Sequence, residues 1–206
     1  MLNDKGFDLW SNDYDKSVGL SDEMGTYPFA AYKSILNAIY QRVLMNEQYN
    51  VLDIGFGTAT LTAKLYEQGC KIYGQDFSER MVELAQAKMP NAKLYQGDFT
   101  LGLLEELKQY RYDAIIATYS LHHLNDEQKV SFLKELLAVL DDEGCIYIGD
   151  VAFMSRYDLE KCKAEAGDEY DDDEIYFVYD EFKSAFPMME FEPFSSCSGL
   201  ITIKKQ

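Results

Sequence analysis

Between residues 50 and 149, short apolar runs alternate with amphipathic stretches, and this alternation leaves few folds open to the chain. Period and turn residues predict strands over 50–54, 71–75, 92–95, 112–118 and 144–149. Helices are expected over 58–68, closed by Gly69, and over 78–88, capped by Ser78 and ended by Met89-Pro90. Two more are expected over 101–109 and 126–140. The run DAIIAT (113–118) is apolar after its first residue, as a central strand of a parallel sheet requires. Strand-helix alternation of this kind implies an α/β, doubly wound, Rossmann-like sheet with helices on both faces. Right-handed crossovers then gather the C-terminal strand ends on one edge, where a ligand site belongs.

The flanks are less regular. Ile35, Leu36, Ile39, Tyr40 and Val43 recur at helical spacing within 29–44. After Asp150 the chain turns charged over 156–174; its acidic run AGDEYDDDE reads as a solvated loop, with a cation site as the alternative. A short helix over 182–186 precedes Pro187, and 188–191 with 199–204 form a closing hairpin. The expected organisation is one domain: 1–46 as N-terminal lid and first helix, 47–150 as ligand-binding core, and 151–206 as insertion and closing strands.

Composition excludes several classes. A net charge of −17 repels a phosphate backbone, so nucleic acid is a poor partner and a small neutral or cationic molecule is favoured. No apolar run reaches the roughly 18 residues that span a bilayer, so no membrane association is expected. The first residues lack the pattern of a secretory signal, which points to a cytoplasmic protein, monomer or homodimer. Cys70, Cys145, Cys162 and Cys197 are widely spaced, with neither CxxC nor a neighbouring histidine, so neither a metal nor a disulfide framework is expected.

The chemistry-bearing residues fall at the strand ends. In Asp53-Ile54-Gly55-Phe56-Gly57-Thr58-Ala59-Thr60, the glycines let backbone approach a ligand, and the helix that follows offers free N–H groups. Dinucleotide enzymes share such a loop, but the third glycine of GxGxxG is replaced by Thr60. Asp53 disfavours a pyrophosphate and can accept from an ammonium group. Asp76 ends the second strand, where a carboxylate can take both hydroxyls of a ribose. In QGDF (96–99), Asp98 can accept from an exocyclic amine, and Phe99 offers an N–H and an aromatic face. The only two histidines, His122 and His123, stand in TYSLHHL after the fourth strand. Either can serve as a general base near neutrality, although packing accounts for one equally well. A metal site is not expected there, because adjacent side chains point apart and no third ligand is evident.

Taken in order, LDIGFGT, GQDFSERM, QGDF, DAIIATYSLHHL and DEGCIYIGD resemble the class I S-adenosylmethionine-dependent methyltransferases, over roughly residues 48–150. The N-terminal WSNDYDKSV is similar to that of small bacterial members, and the whole resembles small methyltransferases of low-GC Gram-positive bacteria. The resemblance implies a seven-stranded, mostly parallel sheet with its last strand antiparallel, and S-adenosylmethionine as methyl donor. It implies that Asp53, Gly55, Gly57 and Thr58 hold the methionine part and Asp76 the ribose. Asp98 and Phe99 flank the adenine, and Phe77, Met81 and Thr118 complete the donor site. Tyr14 and Trp10, with Tyr27 and Tyr32, belong to a segment expected to fold over the donor, where aromatic faces attract a sulfonium. Tyr119, His122 and His123 are the catalytic candidates. The family usually carries glycine at position 59; Ala59 here is expected to cost modest affinity, since helices favour alanine.

Methyl transfer from a sulfonium needs alignment of donor and acceptor more than any reactive side chain. The acceptor, expected to be a small molecule, is therefore not legible, although Tyr157, Tyr170, Tyr176 and Phe177 are candidates to line its site. Two alternatives share the sequence features: a module that binds S-adenosylmethionine or S-adenosylhomocysteine without turnover, and an NAD-dependent oxidoreductase.

Overall fold

The computed structural model describes residues 26–47 and 49–205. Its strands are β1 (Asn50–Ile54), β2 (Lys71–Asp76), β3 (Lys93–Gln96), β4 (Tyr112–Thr118), β5 (Leu140–Phe153), β6 (Phe177–Val178), β7 (Met189–Pro193) and β8 (Ser198–Lys204). The helices are α1 (Tyr32–Met45), α2 (Thr60–Glu67), α3 (Glu79–Lys88), α4 (Glu105–Lys108), α5 (Asp126–Val139), α6 (Arg156–Ala166) and α7 (Tyr179–Phe182).

The sheet runs β3-β2-β1-β4-β5-β8-β7, with two-residue β6 added beside β5. From β3 to β5 all pairs are parallel; β8 runs antiparallel to both β5 and β7. The expected Rossmann-like sheet with its last strand antiparallel is therefore present, plus the short β6. Strand order reverses between β1 and β4, where Ile54 pairs with Ala117, so a crevice opens at that pair of C-terminal ends.

Alternation along each central strand feeds two cores. Val51, Ala114 and Ile116 join Ile35, Ile39 and Val43 of α1 and Leu61 and Leu65 of α2. Leu52, Ile54, Ile115 and Ala117 join Phe132, Leu133 and Leu136 of α5 on the other face. The start of α5 is set by a reciprocal capping box between Asn125 and Gln128, a device worth about 1 kcal/mol. Ser78 caps α3 as expected, accepting from the Met81 N–H.

Four expectations need correction, the first being the short helix over 182–186, which forms instead as α7 at Tyr179–Phe182. The helix over 101–109 shrinks to α4, after a 3-10 turn at Phe99–Leu101. Gly102 adopts φ 107°, and side chains take the next amides: Glu135 accepts from Leu103 N (3.2 Å) and Gln75 from Leu104 N (3.0 Å). The charged stretch after Ser155 forms α6, whose Ser155/Asp158 capping box supplies the start signal. Only Leu159 and Cys162 are buried on it, too narrow a stripe to show as periodicity. Finally, α2 begins at Thr60 because Ala59 precedes it in the left-handed region (φ 58°, ψ 38°). No helix among the described residues is long and apolar enough to cross a membrane.

Candidate active site at the β1–β4 strand ends

A cavity of about 210 Å³ lies at the strand-order reversal, lined by Phe29, Tyr32, Asp53, Gly55, Gly57, Thr58, Thr118 and Tyr119 among others. Its floor is the turn after β1. Gly55 sits at φ 68°, and a Cβ there would lie 2.6 Å from the Ser120 Cβ, so only glycine fits. Ser120 also donates from Oγ to the Ile54 carbonyl (2.9 Å), pinning the turn to the end of β4. A Cβ on Gly57 would meet nothing within 4 Å, so this side of the turn is open.

Asp53 is buried at the end of β1 and accepts from the Thr62 hydroxyl of α2 through Oδ2. Its other oxygen, Oδ1, is buried with no hydrogen-bond partner among the described residues. Burial pushes the carboxyl up to about 7; the Thr62 hydrogen bond opposes the shift and the Asp76 charge adds to it. A buried carboxylate short of one donor is a site for a cation.

The next strand ends continue the row. Asp76 is buried and clamps two amides, Gly57 N to Oδ2 (2.8 Å) and Ser78 N to Oδ1 (2.9 Å). It therefore shapes the glycine turn, and each oxygen keeps a lone pair for a further donor. Phe77 beside it is 68% exposed, a large apolar face that the described residues leave mostly uncovered. Met81 is partly buried and packs on the core beneath. At the end of β3, exposed Asp98 accepts from Thr100 N (2.9 Å). Phe99 differs from its expected part. Its ring is 5% exposed and stacks on Phe132 at 6.2 Å, so the face expected to meet a purine serves the core.

On the β4 side, Tyr119 is held at φ 51°, its N–H bonded to Gly149 O (2.8 Å) and its ring against Phe29 (5.3 Å) and Tyr32 (5.1 Å). Of the aromatics expected over the donor, Tyr32 lines the cavity. Tyr27 instead bonds Tyr176 and stacks on Tyr170 at 5.4 Å. Trp10 and Tyr14 lie outside the described residues. Among the acceptor-site candidates, Phe177 is core, Tyr176 is buried and Tyr157 is exposed.

A 3-10 turn at Leu121–His123 presents both histidines. His122 is buried, with Nδ1 2.8 Å from Asp150 Oδ1 at the C-terminal end of the main β5 ladder. Its Nε2 lies 3.4 Å from Glu174 Oε1. Burial lowers its pKa, but the Asp150 and Glu174 carboxylates outweigh burial and lift it above its ordinary value. The acidic stretch is thus solvated through Asp173 but turns inward at Glu174. The premise that adjacent histidines point apart without a third ligand does not hold: ligand atoms of His122, His123 and Glu174 lie within 4.8 Å of one another.

Sequence reasoning missed Thr62, Ser120, Asp150 and Glu174. Asp150 carried the same signal as Asp53 and Asp76, an acid at the C-terminal edge of an apolar strand. Glu174 stood out only as the last acid of a run that could bind a cation.

Comparison with known proteins converges on one family description. Residues 51–144 match the family described as methyltransferase domain. An uncharacterized methyltransferase of Alkaliphilus oremlandii is 32% identical over 180 residues, 87% of this chain and 80% of that protein. One from Anoxybacillus flavithermus is 35% identical over 160 residues, covering 78% and 72%. Among solved structures, magnesium protoporphyrin IX methyltransferase from Synechocystis with bound SAH superposes with a TM-score of 0.67 at 17% identity, covering 98% of this chain and 96% of that one.

Proposed function

The chain belongs to the methyltransferase domain family, and from that premise we propose that it moves the methyl group of S-adenosylmethionine to a small-molecule acceptor by in-line displacement. The observation that carries this reading is the buried Asp53 Oδ1 left without a donor beside an open glycine turn. An amino acid's ammonium group is the cation that fits it.

The residues fit the donor along its length. Asp53, Gly55, Gly57 and Thr58 would hold the methionine end and Asp76 the ribose hydroxyls. Asp98 would take the exocyclic amine, and exposed Phe77 supplies the apolar face that Phe99 does not. Met81 backs this face and Thr118 borders the methionine end. The cavity of about 210 Å³ accommodates one end only, so the adenosine would lie along the ends of β2 and β3. S-adenosylmethionine supplies, when bound, an electrophilic methyl with a thioether leaving group. The protein's task is alignment and exclusion of water. Tyr119, Tyr32 and Phe29 wall the cavity on the side where an acceptor would approach. His122, held by Asp150, is the candidate to take a proton from an acceptor that must lose one, with His123 beside it. Within one domain, α1 would be the first helix, 47–150 the donor core and 151–206 the insertion and closing strands; the lid expected within 1–46 falls largely outside the described residues.

Isothermal titration with S-adenosylmethionine and S-adenosylhomocysteine tests the site, and a methyl-transfer assay on metabolite pools tests turnover. Saturable binding of both with a methylated product is expected. Absence of donor binding refutes the reading, and binding without any product reduces the protein to a donor-binding module.

A further inference from the structure

We infer that His122, His123 and Glu174 form a site for one divalent transition-metal ion of the zinc type, open on one side. The inference does not depend on the methyl transfer, and an ion on Nε2 would take from His122 the proton-accepting role given to it above.

The first argument is protonic. Asp150 Oδ1 accepts from Val151 N (2.8 Å) and lies 2.8 Å from His122 Nδ1. With a carboxylate on that side, Nδ1 keeps its proton, so Nε2 is the nitrogen that would give up its proton to a metal. Nε2 faces Glu174 Oε1, a second lone-pair group. Two such groups face each other stably only with a proton or a cation between them.

The distance suits the ion. A charge-assisted N–H···O bond closes to about 2.7–2.9 Å. Two ligands of a tetrahedral zinc ion, bound at about 2.0–2.2 Å, stand roughly 3.3–3.5 Å apart. The His122–Glu174 separation of 3.4 Å matches the edge of that tetrahedron, so the pair can hold an ion without rearrangement. One ligand atom from each of His122, His123 and Glu174 lies within 4.8 Å of the others, which places His123 beside the pair as a third ligand.

The surroundings are those of a built metal site. A histidine bonded to a carboxylate through its other nitrogen is the usual arrangement around zinc, because it fixes ring orientation and raises basicity. Glu174 has the same support: its Oε2 accepts from the Tyr176 hydroxyl (2.7 Å), which leaves Oε1 for His122. Ile175 N bonds to His122 O (2.9 Å) and holds the two segments together. His123 is exposed, which leaves one side for solvent or a ligand, as in sites with three protein ligands. One charge opposes the ion. Lys129 is buried nearby, but its Nζ is committed to the carbonyls of Leu124 (2.8 Å) and Ile175 and lies 3.6 Å from Asp126. Asp150 and Glu174 supply two negative charges against it.

Equilibrium dialysis of untagged, chelator-stripped protein against Zn²⁺ tests the site, with Co²⁺ absorption as the coordination readout. One Zn²⁺ per chain is expected, and a Co²⁺ spectrum of a low-coordinate nitrogen-oxygen site. His123→Ala, at an exposed position that should not disturb folding, and Glu174→Gln should each weaken Zn²⁺ binding at least tenfold. Asp150→Asn should weaken it about 10–100-fold as a positioning change, with circular dichroism unchanged. No stoichiometric Zn²⁺ binding overturns the inference. So does binding that His123→Ala and Glu174→Gln both leave unchanged, which would place the ion on the buried cysteines or elsewhere.

Discussion

Replacing Asp53 with Asn should make the protein more stable at alkaline pH and a poorer binder of its donor. Burial raises the Asp53 carboxyl from its ordinary 3.8 to about 7. A raised carboxyl keeps its proton in the folded state while the unfolded chain has lost it, so stability falls as pH rises through that window and levels off above about 7. At about 1.4 kcal/mol per pH unit, the rise corresponds to at most roughly 4 kcal/mol of penalty on the ionised form. Roughly 2 kcal/mol of that falls between about pH 5.5 and 7. Asn removes the titration and still accepts from Thr62. Its amide, placed where Oδ1 has no partner, costs about 1–3 kcal/mol at every pH. Urea denaturation at about pH 5.5 and 8 should therefore show the variant gaining roughly 2 kcal/mol on the native protein across that range. Titration with S-adenosylmethionine should show affinity loss of about 1.5–3 kcal/mol, the worth of a hydrogen bond to a charged group. A stability difference that does not move with pH would refute the buried-charge argument. Unaltered donor affinity would refute the ammonium pairing.

Ala59→Gly relieves about 1–2 kcal/mol of left-handed strain and loses about 0.8 for the buried methyl and 0.5–1 for chain freedom, so stability by urea melt should stay within about 1 kcal/mol. Ala63→Gly, inside α2, should cost about 2 kcal/mol in the same assay, and equal costs at both positions would contradict the backbone reading. Gly55→Ala meets the Ser120 Cβ at 2.6 Å and an unfavourable φ, and should lower stability by roughly 2–5 kcal/mol in thermal melts. Asp76→Ala should weaken donor binding by about 1–3 kcal/mol in titration calorimetry, and an unchanged affinity would remove it from the ribose.

The parallel half of the fold was legible because each element announced itself. The runs over 50–54 and 112–118 are strands with those same bounds, their apolar residues feeding both faces. The acids at positions 53 and 76 and the glycines between them were legible as a site because strand ends in such a sheet meet on one edge. What escaped depends on contacts distant in the chain. Phe99 looks like a ligand face in its own loop, and only the approach of Phe132 from α5 shows it to be core. Ala59 looked like a helix residue because its neighbours are helical; its φ of 58° is set by the turn from Phe56 to Thr60. Glu174 is one of many acids in its stretch, and its selection by His122 is made by the packing of Tyr176 and Tyr27.

The position of β8 has a consequence for how the chain is made. It follows β7 in sequence but lies inside it in the sheet, pairing with β5 on one side and β7 on the other. β7 pairs only with β8 among the described residues, so the β5 edge has to wait for residues 198–204 before it is covered. That edge is long and apolar, the kind that recruits other chains when left open. Nascent chains of this protein are therefore most vulnerable to aggregation in the interval between release of β5 and arrival of β8.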